Sequence, residues 1–129
     1  MSLDFNDPKI HDLLLEVSRR NGVDPSASLE AEGFFRVLLQ EYVGDDSLLS
    51  MSNWLDEQIS LQFVALGERP RWIQGSEWPF ADGKPMVFVG QIDLSLDSND
   101  ILSKYFHDDT SFYLFIQPKG PSTVVMQQY

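Results

Sequence analysis

The chain contains no cysteine. That absence removes disulfides, thiolate nucleophiles and zinc–thiolate sites together. No apolar run approaches the ~20 residues that span a bilayer. The first residues, Met1-Ser2-Leu3-Asp4-Phe5-Asn6-Asp7, lack the basic and apolar regions of a secretory leader, and the expectation is a cytoplasmic protein. Basic residues are scarce: 9 Lys and Arg stand against 20 Asp and Glu, a net charge of −11. Arg19-Arg20 and the Arg69/Arg71 pair are the local basic groups, too few for the patch that nucleic acid or an anionic membrane requires. A basic protein partner suits the charge instead, because opposite fields speed encounter.

Catalytic signatures are missing as well. The chain has neither a G-x-S-x-G elbow nor a phosphate-binding glycine pattern, and Gly83-Lys84-Pro85 is not a P-loop. Two histidines are present, His11 and His107. His107-Asp108-Asp109 offers three donors, but neighbours on an extended chain point to opposite sides. Asp93, Asp97, Asn99 and Asp100 lack the spacing of a calcium loop. No metal, no cofactor and no enzymatic activity are expected.

What is present suits one folded domain over residues 1–129, with 43% apolar and 12% aromatic residues. Asp7 caps a helix begun by Pro8. Ile10, Leu13, Leu14 and Val17 give it one apolar stripe, and Asn21-Gly22 ends it. A second helix is expected from Ser28 to Tyr42, joined to the first as an αα-hairpin. Between Ser47 and Leu66 the pattern predicts a short helix at 52–57 and a strand at 59–65, on the alternation of Ile59, Leu61, Phe63 and Ala65. Strands follow at 85–94, 111–117 and 123–127, with a tight turn at Asp82-Gly83 and a reversal at Pro118-Lys119-Gly120-Pro121. The apolar run Met86–Val89 predicts a central strand covered on both faces. The fold class is therefore α+β, with N-terminal helices (about 7–57) packed on a mainly antiparallel C-terminal sheet (about 59–129).

One stretch is distinctive. It runs Leu66-Gly67-Glu68-Arg69-Pro70-Arg71-Trp72-Ile73-Gln74-Gly75-Ser76-Glu77-Trp78-Pro79, then Gly83-Lys84-Pro85-Met86 through Gln91-Ile92-Asp93, then Tyr113–Pro118 and Met126-Gln127-Gln128-Tyr129. Over residues 66–129 this order resembles the YwqG-like family of bacterial proteins. The resemblance implies a compact β-rich core and brings no catalytic residues. Relatives often carry Cys-x-x-Cys before Gly-Lys-Pro. Phe80-Ala81-Asp82 stands there in this chain, so no metal role carries over. Where relatives have Gly-Asp-Gly-Gly, this chain has Asp108-Asp109-Thr110-Ser111.

The leading expectation is a small acidic protein-binding module, of the kind that acts as an immunity protein against a basic bacterial toxin. Trp72 and Trp78 are its candidate anchors. Glu77, Asp45, Asp46, Asp108 and Asp109 are its candidate steering charges. A chaperone-like or regulatory adaptor for a basic client is the alternative within the same class. From a different class comes a small hydrolase with a carboxylate beside Trp78, whose indole would stack on a sugar. Trp72, Trp78 and Phe80 covering one end of the sheet is the plain structural reading of the same residues. Arg69 and Arg71 are expected to be engaged by local carboxylates, and Gln74 and Gln91 to bond backbone.

Overall fold

Asp7 opens α1 (Pro8–Arg20) by accepting the Lys9 amide at 3.0 Å, with Pro8 in the first turn where no N–H is needed. This is a computed structural model, which describes residues 3–94 and 109–128. Ile10, Leu14 and Val17 bury one side of α1. Gly22 follows with φ 75°, and a side chain there would press on Pro70 at 3.3 Å, so both backbone sign and space require glycine. Ser28 caps α2 (Leu29–Gln40) by accepting the Ala31 amide at 3.0 Å. Gly33 is accommodated within that helix, since Ala31, Phe35, Leu38 and Leu39 still bury one face.

The third helix departs from expectation. Ser47 caps it and α3 runs Leu48–Gln62, through the whole segment expected to hold a short helix and the start of a strand. Met51, Leu55 and Ile59, four residues apart, are buried, whereas Leu61 is 62% exposed. The alternating pattern is therefore unused: once a capped helix has begun, each further residue adds a hydrogen bond at little cost. Of the expected strand only an extended remnant survives, a parallel bridge between Ala65 and Phe88. The αα-hairpin is also corrected. The main helical neighbour of α1 is α3, not α2. The Asn21 amide ties the two by donating to Asp56 Oδ1 and to the Val17 carbonyl, both at 3.0 Å.

Beyond the helices, β1 (Phe80–Ala81) and β2 (Lys84–Pro85) form a minimal hairpin. Its turn residues Asp82 and Gly83 both have positive φ, 53° and 76°, as the tight-turn signal predicts. The main sheet is antiparallel in the order β3-β4-β5, built from β3 (Val87–Leu94), β4 (Thr110–Ile116) and β5 (Ser122–Gln128). Three N-terminal helices and this sheet make an α+β layout, as expected. The strand taken as central is an edge, and β4 holds the centre. In the run from Met86 to Val89 only Met86 and Phe88 are fully buried, and a bulge between Phe88 and Gly90 breaks the register.

Helices and sheet share one apolar cluster that includes Leu14, Phe35, Ile59, Phe63, Trp78, Phe88 and Phe115. Phe63 sits at its junction, stacked on Phe35 at 5.5 Å and edge-on to Trp78 at 5.3 Å. Full burial of each such ring contributes roughly 1.5–3 kcal/mol.

Candidate functional site

The distinctive stretch folds into a segment whose backbone is held by side chains, not by a strand. Gln91 accepts the Arg71 amide at 2.8 Å and donates to the Arg71 carbonyl at 3.1 Å. The Tyr113 hydroxyl donates to the same carbonyl at 2.8 Å and accepts from Ile73 N at 3.2 Å. Gln127 Oε1 accepts from Ile73 N and Gln74 N at 2.9 and 3.0 Å. Its Nε2 donates to the Gly75 carbonyl at 2.7 Å and to Glu77 at 2.8 Å. Gln127 is 2% exposed, so these bonds satisfy a buried amide that would otherwise be costly. Residues 71–77 thus cross the inner face of the sheet from β3 past β4 to β5. Burial pushes the Tyr113 phenol upward, the largest of several opposing influences on it.

This geometry decides the two indoles. Trp78 is 5% exposed, donates to the Met86 carbonyl at 2.8 Å and lies among Phe63, Phe88 and Phe115. It is a core residue, so it is neither a partner anchor nor a sugar-stacking surface. Trp72 is half-buried. It stacks on Tyr113 at 4.3 Å and donates to the Gly22 carbonyl at 2.7 Å. Both rings cover the inner sheet, which is the plain structural reading.

The proposed steering charges are not gathered at one point. Asp45 and Asp46 are exposed in the α2–α3 connection, where the buried Tyr42 hydroxyl donates to the Asp45 carbonyl at 2.5 Å. Burial raises the Tyr42 pKa, and the two carboxylates add to the shift. Glu77 is exposed at the β5 side, hydrogen-bonded by Gln127. Asp109 lines a cavity of about 420 Å³ with Arg71, Gln91, Asp93 and Ser111. Asp108, like His107, Asp97, Asn99 and Asp100, lies outside the described residues.

Arg71 pairs with Glu68 and Asp93, each at 3.1 Å. Arg69 finds no such carboxylate partner among the described residues. It donates to the Phe63 carbonyl at the end of α3 and lies 5.8 Å over the Trp78 ring. Its burial lowers its pKa, partly countered by Asp56. Hydrogen bonds from Ser111 and then Gln91 hold the Asp93 carboxyl below its ordinary range, with Arg71 adding to the effect. A general acid needs the opposite shift. Among the described residues no three His, Asp or Glu side chains gather as a metal site, and no helix is long and apolar enough to cross a membrane.

The outer face of the sheet, where Ile92, Val124 and Met126 stand exposed, is the feature sequence reasoning missed. Strand register places Ile92, Phe112 and Met126 in one row and Gly90, Leu114 and Val124 in the next. The four rows of this outer face contain no Asp, Glu, Lys or Arg, in a chain where 22% of residues are charged. Ile92 is 65% exposed and Val124 58%. An antiparallel sheet with one solvated face ordinarily carries polar residues there. Three strands ~4.8 Å apart and seven residues long give a whole face on the order of 350 Å², polar at Thr110, Ser122 and Gln128 in its end rows. The period-2 signal was present in Ile92, in Phe112-Leu114-Ile116 and in Val124-Met126, but the inner set of β4 is apolar too, so alternation did not separate the faces. By contrast, the apolar groove along α2 at Leu29, Gly33 and Val37 is rimmed by Glu30, Glu41 and Lys84.

No family model matches the chain, and no match is found among curated proteins or solved structures.

Proposed function

We propose that this chain is a protein-binding module for a basic partner, and that it acts as an immunity-type protein that neutralises a basic bacterial toxin. The observation that carries this reading is the uncharged outer sheet face in a chain of net charge −11. The apolar face supplies contact area, and the chain's net charge of −11 supplies encounter and selects cationic partners. Trp78 plays no part in the contact, since it is spent in the core. The anchors are Ile92, Leu114, Val124 and Met126. Membership of the YwqG-like family is proposed on residues 66–129. Its motif positions Gln91, Tyr113 and Gln127 serve here as clamps on the 71–77 backbone.

The test is co-expression with the basic product of the neighbouring gene. The chain relieves the growth arrest caused by that product, and the association rate of the pair falls by about tenfold or more between low and high salt. A toxin left fully active by a stoichiometric excess of this chain overturns the proposal. Stable capture of a housekeeping basic protein in its place supports the adaptor reading.

A further inference from the structure

The two edges of the sheet are finished differently. On the β3 side Phe88 N donates to the Val64 carbonyl at 2.9 Å and Leu66 N to the Phe88 carbonyl at 3.0 Å, so a neighbouring segment occupies that edge. The bulge between Phe88 and Gly90 distorts it further, and the Arg71–Asp93 ion pair adds charge at its far end. These are the devices by which sheets avoid unwanted pairing.

The β5 edge has none of them. Ser122–Gln128 pairs with β4 in unbroken register over seven residues and contains no proline and no charged residue. Among the described residues no other backbone segment pairs with its outer side, and the Gln74 side chain reaches only the last carbonyl, that of Gln128, at 2.8 Å. Val124 and Met126 flank this edge on the uncharged outer face.

We propose that the β5 edge receives an extended segment of a basic partner protein as a fourth strand, whose outward side chains lengthen the uncharged face beside Val124 and Met126. Main-chain bonds supply affinity in such strand addition, and alternate side chains supply choice of partner. This rests on the reading of the chain as a binder of basic proteins, and it specifies how the binding is made.

Two observations select the occupant. A second copy would set −11 against −11. The outer face, on the order of 350 Å², is also well short of the roughly 800 Å² per partner of a stable interface. An incoming strand escapes both limits. It adds backbone pairing to side-chain contact, and its cations meet the acidic field. Segment 71–77 delivers the exposed carboxylate of Glu77 to the Gln128 end of β5, while Lys119 lies in the turn before its Ser122 end. The fitting strand therefore carries its cationic residues toward the Gln128 end.

Three labelled peptides of about ten residues test this by fluorescence anisotropy. One alternates valine and threonine and ends in two arginines. The second has the same side chains with its central amides N-methylated. The third carries glutamates in place of the arginines. The expected result is binding by the first, a loss of about tenfold or more on N-methylation, and new hydrogen-exchange protection confined to Ser122–Gln128. Val124→Lys weakens the first peptide by a similar factor and leaves the thermal melt unchanged. Equal binding by the first two peptides, or no binding by either, overturns strand addition and leaves the basic-partner reading standing. Equal binding by the first and third overturns the preference for a basic partner and leaves strand addition standing. A dimer in light scattering that Val124→Lys disperses assigns the edge to a second copy and also overturns the proposal.

Discussion

The side-chain carbonyl of Gln127 accepts the backbone amide of Ile73 at 2.9 Å, so a buried glutamine in the last strand fixes a segment more than fifty residues earlier in the chain. Such long-range clamping usually belongs to backbone pairing. Here Gln127, Tyr113 and Gln91 share the task from three adjacent strands.

Replacing that glutamine is therefore costly. Gln127→Leu removes four hydrogen bonds, leaves the Ile73 amide with the Tyr113 hydroxyl alone and strips the Gln74 amide and Gly75 carbonyl of this partner, at about 1–3 kcal/mol for each buried group left unpaired. The urea midpoint falls accordingly. Gln127→Glu retains the acceptor but cannot donate to Gly75 O and faces Glu77, so it is destabilised more at pH 7 than at pH 4.

The Asp93 carboxyl gives a definite pH dependence. Its folded pKa is depressed, chiefly by Ser111 and Gln91, below the ordinary 3.8. The folded state then binds fewer protons than the unfolded one between the two values. Its stabilising contribution is complete above the unfolded pKa and is lost as pH falls through the folded one. Asp93→Asn lowers the urea midpoint at pH 7, and the gap to the parent chain closes as pH falls through the depressed folded value. The effect is modest, because the side chain is 52% exposed and screened.

Helix α3 can be tested against the strand it replaces. Ile59→Ala costs about 2–5 kcal/mol as a cavity in a packed core. Leu61→Lys changes stability by no more than about 0.5 kcal/mol, since the position is exposed in the last turn of a helix where a cation suits the dipole. A strand would make both positions sensitive, as both would face the same side. Thermal melts of the two variants separate the cases.

The outer sheet face should be dispensable for folding. Ile92→Ser and Met126→Ser each shift stability by less than about 1 kcal/mol, as partly exposed positions do. Both weaken binding of the basic partner by about tenfold, read by calorimetry.

Much of the fold is written locally. Asp7 before Pro8, Ser28 before Leu29, Asp82-Gly83 and the 118–121 reversal each carry their own chemistry, and each takes the conformation that chemistry favours. The misreadings are tertiary. Residues 59–65 satisfy both periods, and only the burial of Met51 and Leu55 on the same side selects helix. Whether β3 is central depends on which strand joins it, and nothing within Met86–Val89 states that. The indoles of Trp72 and Trp78 look alike in sequence, yet one is half-buried and the other enclosed. The clamps did leave a trace. Gln127 falls at the inward parity of β5, with Thr123 and Val125, and a polar residue at an inward position asks for a buried partner.

The surplus residue between Phe88 and Gly90 keeps the two ends of β3 in different phase. Excising Val89 would close the bulge and keep the pairing beyond it, with Gln91 and Asp93 still on the inner face and Ile92 still on the outer one. A deletion at that one position is thus absorbed by straightening the strand, and what is lost is the local bend. The bulge lets Phe88 and Gln91, three residues apart, share one face, so alternation read straight through this strand would misassign one of its halves.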